Sequence, residues 1–597
     1  MKKNLSFATI LLILLFAALT VISAQNKFYV DINNRSDDLF KVTLIPDKLN
    51  DDNKIFQFAA TAPGTYEIMD IGRYVKSFKA LNSNGGEITV THPEVNQWEI
   101  SNPTQVSKIE YEVSDTWDYK VDKNPVYPMC GSSITDDYVM INGQCVFGYF
   151  HGKQKYPIEI KLDYPKDWLI GTALEKNGDG YYTATDYDMV VDSPILLGKL
   201  TKASTKIENT TVDVFTYSQK GLIKSQNIMM SLEDVLNATD AFMEGLPVNR
   251  YVFLFNFGPI GAGAWEHNYS SIYVMQDDTL TDRRALSLRS TAAHEFFHII
   301  VPLHIHSELV ENFNYEKPVM SQHLWLYEGV TEWAAQIMQL RDYLMSLDDY
   351  LRVERQKLTA NDNYDQNISL TELGVKSTEL PAQYGNIYAK GAVIAGLLDI
   401  RLLELSHGKK GLREVLIDLM HEYGKKKTIS EKNFFTDFTN QTYPEIGDFI
   451  KKYIAGTDKL PLKKYFGSLG IEYEETAGYD SSRIDLPFGI GFKDNKFVVS
   501  KVDSDMADKL EVGDVLYKYE GEELTMMNIR QKFMAITRMK PGDKLVLGIM
   551  RGDKEMEVEM TLKPREIRHK FTVMENPTPE QLALRKAWMQ NLPYDKN

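Results

Sequence analysis

Ala293-His294-Glu295-Phe296-Phe297-His298 is the stretch on which the reading of this chain turns. On an α-helix, residues four apart lie on one face, a turn above each other. His294 and His298 can therefore aim two imidazoles at one ion, and Glu295 can act on a water held by that ion. Two histidines on a solvated helix are the plain alternative. The metal reading requires a third ligand, a group that holds a substrate and a donor to the transition state.

Two residues compete as third ligand. His304 follows His298 by six positions, the spacing of HExxHxxGxxH. In that pattern glycine allows a sharp turn, but here the position is Val301, followed by Pro302. A β-branched residue resists the left-handed conformation such a turn uses. The other candidate is Glu328, in Leu324-Trp325-Leu326-Tyr327-Glu328-Gly329-Val330-Thr331-Glu332-Trp333. A carboxylate among Trp and Leu is costly to bury unless it is paired or on a metal. Glu332, one turn on, reads either as a partner that orients a metal-bound histidine or as a solvated helix charge.

The flanking sequence divides into segments. At 597 residues the chain exceeds what one core serves, and three or four domains are expected. Residues 25–205 alternate short strands with turns, as in Phe28–Ile32, Phe40–Leu44 and the Val75–Ala80/Glu87–Thr91 hairpin around Asn84-Gly85-Gly86. They predict a β-sandwich-like or saddle-shaped domain. Residues 206–475 combine strands at Val212–Tyr217, Tyr251–Phe257 and Ile272–Met275 with a helix over Leu222–Leu246. The HExxH helix and a helical lobe follow. That order predicts a thermolysin-like catalytic domain, so the fold class is multidomain α+β. Residues 483–564 form a small β-rich unit, and 565–597 read as a polar tail of partial order.

Composition excludes some roles. The formal charge of −16, with no basic block to offset it, argues against nucleic-acid binding. Lys2-Lys3, the apolar run Phe7–Val21 and Ile22-Ser23-Ala24 form an export signal cut after Ala24. No later run is long enough to span a bilayer. The expectation is an exported, soluble protein, in the periplasm rather than fully secreted. Cys130 and Cys145 are the only cysteines, and either a disulfide or two buried thiols fits them.

Further motifs appear in a telling order. Gly263-Ala264-Trp265-Glu266-His267 looks like the motif with which gluzincin aminopeptidases hold a free amine. A carboxylate beside the metal would pair with an α-ammonium and leave no room for more peptide. Tyr388-Ala389-Lys390-Gly391 resembles the Tyr-x-Lys-Gly motif of the same clan, whose tyrosine faces the oxyanion. With Pro63-Gly64-Thr65-Tyr66-Glu67-Ile68 and Gly72-Arg73-Tyr74-Val75, the chain resembles the glycyl aminopeptidases, PDZ-containing gluzincin metallopeptidases. Phe488-Gly489-Ile490-Gly491 is similar to the loop with which PDZ domains take a peptide C-terminus.

The resemblance implies one zinc on His294, His298 and Glu328, with Glu295 and Tyr388 catalytic and Glu266 binding the amine. It implies removal of N-terminal Gly, then Ala, from peptides, and a possible C-terminal peptide ligand for the PDZ unit. Trp265 departs from the Met or Leu common at that position, which leaves the pocket shape open. A zinc endopeptidase and an inactive peptide-binding scaffold are the alternatives.

Overall fold

The computed structural model describes residues 25–594, apart from Lys120, Asp122, Lys425, Lys426, Asp494, Asn495, Met526 and Met527. The expected export signal, 1–24, lies outside the described residues. The chain forms two compact units. One comprises the described residues up to Tyr350, Tyr364–Leu460 and those from Lys586 on; the other comprises Leu351–Asn363 and Pro461–Arg585.

The first unit begins with a β-rich region. Asn26–Asp31 and Leu39–Ile45 pair antiparallel inside an eight-stranded sheet. Their strict alternation of buried and half-exposed residues puts Phe28, Val30, Phe40 and Val42 into one core, as period-2 patterning requires. Two four-stranded sheets feed the same hydrophobic cluster. Cys130 and Cys145 are buried free thiols, and the Cys145 thiol donates to the Cys130 carbonyl at 3.3 Å.

A second, five-stranded sheet of this unit carries the HExxH helix. Its strands are β1 (Thr201–Ile207), β2 (Thr210–Ser218), β3 (Arg250–Gly258), β4 (Gly263–Glu266) and β5 (Ser270–Gln276), in the order β1-β2-β3-β5-β4. β2, β3 and β5 are parallel, and every residue of β3 after Arg250 is buried, which explains its apolar run. β4 is an antiparallel edge strand. Helix α1 (Ser225–Met243) connects β2 to β3.

Helix α2 (Asp282–Phe297) starts at Thr281, whose side chain accepts from the Arg284 amide. Its inner face packs by aromatic edges: Phe296 lies 4.8 Å from Tyr251, and Phe297 6.0 Å from Phe242. After it come a wide π-helical turn at Trp325–Val330, α3 (Thr331–Arg341) and α4 (Asn386–Leu405). A Cβ on Gly329 would stand 2.7 Å from the Gly391 Cα. Only two glycines permit this approach of α4 to the π turn.

In the second unit Ile471–Asp485 pairs antiparallel with Lys563–Val573. A six-stranded sheet with a helix at Ile529–Ile536 has its own core around Leu516, Leu545 and Ile549. Phe488–Lys493 is the edge strand of that sheet. Phe488, Gly489, Ile490 and Gly491 thus stand in a strand rather than a free loop. The tail expectation is corrected. Lys563–Val573 is a paired strand, and Pro579–Trp588 is a helix. Trp588 is buried, and its carbonyl accepts from the Arg341 guanidinium at 2.9 Å within the first unit. Among the described residues, no helix is long and apolar enough to cross a membrane.

Candidate active site

The site is assembled from four elements of the first unit. The last turn of α2 presents His294 and Glu295, its C-terminal cap presents His298, the π turn presents Glu328, β4 presents Glu266, and the first turn of α4 presents Tyr388. Together they line a cavity of about 130 Å³.

The His294 and His298 Nε2 atoms are 3.2 Å apart, and the Glu328 Oε2 lies 3.4 Å from the first and 3.6 Å from the second. A tetrahedral ion with bonds of about 2.0–2.2 Å spaces its donors about 3.3–3.6 Å apart. The three donors therefore fit a zinc-sized ion. The far side of each ring is also held. His298 Nδ1 donates to the Val301 carbonyl at 2.8 Å, and His294 Nδ1 to the Glu332 carboxylate at 3.1 Å. Both bonds leave the Nε2 lone pair facing the shared point. The charges point the same way. Glu266, Glu295 and Glu328 crowd one largely buried chamber, an arrangement that is costly without a cation.

His304 takes no part in this triangle. Its Nδ1 donates to the Ile299 carbonyl at 2.6 Å, so the ring is turned into its own loop. A second group, Glu266, Glu295 and His298, also has donor atoms within 4.8 Å of one another. It shares His298 and brings the two remaining carboxylates to the edge of the first triangle.

The protonation preferences follow from burial and neighbours. Burial pushes the Glu295 carboxyl up to about 7, with His294 pulling the other way. Burial alone would push His294 down, but Glu328 and Glu332 more than offset it and hold the ring well above the usual histidine range. Burial pushes His298 down to about 4. Glu266 is held well above the ordinary range by burial, then by the Glu328 and Glu295 charges.

Several residues in or beside the chamber were not singled out from the sequence as site groups. Tyr384 sits one turn before Tyr388, and their hydroxyls are 3.2 Å apart. Tyr66, from the β-rich region, donates to Glu328 Oε1 at 3.5 Å. Gly64 carries a φ of +75°, and its Cα faces Glu266 and the Trp265 indole. Trp265 is buried in the core of the β-rich region and stacks edge-on to His267 at 4.5 Å. Helical spacing from Tyr388 was the one available signal for Tyr384. Gly64 and Tyr66 stand in the 63–68 stretch that carries the resemblance, but nothing local marked them as site groups.

Two family models match the chain. Residues 27–199 match the peptidase M61 N-terminal domain, and residues 287–394 match the M61 glycyl aminopeptidase domain. No curated protein matches. Among solved structures, an aminopeptidase N family protein from Idiomarina loihiensis aligns with a TM-score of 0.79 at 21% identity, covering 95% of this chain and 100% of that one. An M1 zinc metallopeptidase from Deinococcus radiodurans aligns with a TM-score of 0.45 at 11% identity, covering 74% and 95%. The donor triangle and the two family matches define a zinc-dependent metallopeptidase of the aminopeptidase class. Within that class the chain is similar to the M61 glycyl aminopeptidases, the resemblance its motifs carry.

Proposed function

We propose that the protein removes the N-terminal residue, glycine first and alanine next, from peptides. The observation that carries this reading is the position of Glu266. Its carboxylate lies within 4.8 Å of donor atoms of both Glu295 and His298. A carboxylate so close to the reaction centre pairs with an α-ammonium and fixes the substrate's first residue against the metal.

His294, His298 and Glu328 would hold one zinc per chain. When bound, zinc polarises the scissile carbonyl and lowers the pKa of water. Glu295 accepts the proton of the attacking water and passes it to the leaving amine. The Tyr388 hydroxyl donates to the oxygen that gains charge in the tetrahedral intermediate. Tyr384 and Tyr66 position that hydroxyl and the Glu328 carboxylate. Glu332 orients His294.

The same reading assigns 25–205 to an N-terminal β domain, 206–475 to the catalytic domain and 483–564 to a PDZ domain. An extended peptide C-terminus would add to the edge strand containing Phe488–Gly491. Residues 1–24 direct export, to the periplasm.

The test uses the zinc-loaded full chain and a tripeptide panel differing in the first residue. Free glycine should appear fastest and free alanine next. Glu295→Gln should lose at least about 100-fold of the rate, as expected for loss of a general base. Cleavage at the second bond, with an intact N-terminal dipeptide and no free first residue, contradicts the proposal.

A further inference from the structure

The metal chamber does not end at Tyr384. Thr65, Tyr127 and Tyr384 line it and also line a second, more open groove of about 380 Å³. The remaining walls of that groove come from the 65–68 and 124–127 segments and from Ser377, Thr378 and Pro381. Gly64, Trp265 and Glu266 also line the chamber, and they line a small apolar cavity of about 70 Å³ as well.

The difference in size gives a substrate one direction, because the groove of about 380 Å³ has room for a continuing chain and the cavity of about 70 Å³ does not. A peptide whose ammonium rests on Glu266 has its first residue at the Trp265 end. The chain beyond the scissile bond must then leave past Tyr384 and Tyr127 into the open groove. Among the described residues, Glu67 is the only carboxylate lining that groove, and no Lys, Arg or His lines it. The carboxylate is also built in. Its Oε1 accepts from the Tyr127 hydroxyl at 2.6 Å. Among the described residues it has no ion-pair partner, and burial raises its carboxyl above the ordinary range.

We propose that this groove is the subsite for the residues immediately after the scissile bond, and that Glu67 makes it select cationic side chains over anionic ones. The proposal rests on the aminopeptidase reading for its direction. Lys and Arg suit the groove because their long apolar stems lie along Tyr66, Tyr127 and Ile68 while the charged head reaches the carboxylate. A second carboxylate there meets Glu67 with no cation to relieve it.

The experiment measures glycine release by the zinc-loaded full chain from Gly-Lys-Ala-amide, Gly-Ala-Lys-amide and their glutamate counterparts, with Gly-Ala-Ala-amide as reference. At low salt, kcat/KM should favour lysine over glutamate about fivefold or more at one of the two positions, the size of a partly exposed ion pair. Raising salt from about 20 to about 500 mM should shrink that preference in the unaltered enzyme. Glu67→Gln should bring the ratio near one, and Glu67→Lys should invert it. Tyr127→Phe keeps the charge and should keep the preference. A ratio unaffected by Glu67→Gln, or glycine release with no preference at either position, overturns the subsite alone. No glycine release from any of the peptides overturns the aminopeptidase reading together with it.

Discussion

Gly64 lies against Glu266 so closely that a Cβ on Gly64 would stand 2.4 Å from the Glu266 Oε1 and 2.8 Å from the Trp265 Nε1. A residue of the β-rich region thus sets the position of the carboxylate assigned to the substrate amine. Gly64→Ala should displace Glu266, and misplacement on the scale of an ångström costs about 100-fold in rate. The expected result is a fall of about 10- to 100-fold in kcat/KM for a glycyl substrate, with zinc content unchanged. Kinetics and metal analysis on one preparation check it; wild-type kinetics would show that the contact does not matter.

Tyr388 is half-buried in the chamber, its hydroxyl 3.2 Å from that of Tyr384. Tyr388→Phe removes one hydroxyl and little volume. Loss of an oxyanion donor costs about 100- to 1,000-fold in kcat. KM should stay within a few-fold, because the ground-state carbonyl carries little charge. A comparable rise in KM with kcat intact would place Tyr388 in binding instead.

Glu332 touches the metal triangle through the His294 ring, at 3.1 Å. Glu332→Gln should weaken zinc about 10- to 100-fold, the usual effect of losing a carboxylate behind a ligating histidine. Competition with a chelator of known affinity reads this out. An unchanged zinc affinity would make Glu332 a solvated helix charge.

The protonation of the metal-free site makes a prediction with a definite sign. His294 is held well above the usual histidine range by Glu328 and Glu332 against its burial. Burial brings Glu295 to about 7. The metal-free site therefore carries extra protons near neutrality, and zinc requires His294 without its proton. Zinc binding near pH 7 should release about one proton or more, and apparent affinity should fall as pH falls. Calorimetry in two buffers of different ionisation enthalpy measures the release. A heat independent of the buffer would contradict the assignment.

Some of the site was legible in the sequence because its signals are local. His294 and His298 announce a metal face through helical spacing alone. Glu328 stood out as a carboxylate among Trp and Leu, and the structure shows why it is tolerable: it lies 3.4 and 3.6 Å from two imidazoles. Val301 made His304 a strained third ligand, and the His304 ring does turn away. Gly64 and Tyr66 were illegible as site residues. They sit about 230 positions from the HExxH helix, and only tertiary packing brings them to it. The strand at Lys563–Val573 was missed for a similar reason. Its partner, Ile471–Asp485, is distant, and its burial is too irregular to show a period.

The account centres on Glu266 as the group that turns a zinc peptidase into an aminopeptidase. The most direct measurement compares release of p-nitroaniline from H-Gly-p-nitroanilide with release from its N-acetylated form, using zinc-loaded protein. Acetylation removes the α-ammonium and adds bulk against Glu266, so the account predicts a loss of at least about 100-fold, the scale of a lost charge-assisted bond plus misplacement. Equal cleavage of the two substrates would contradict it.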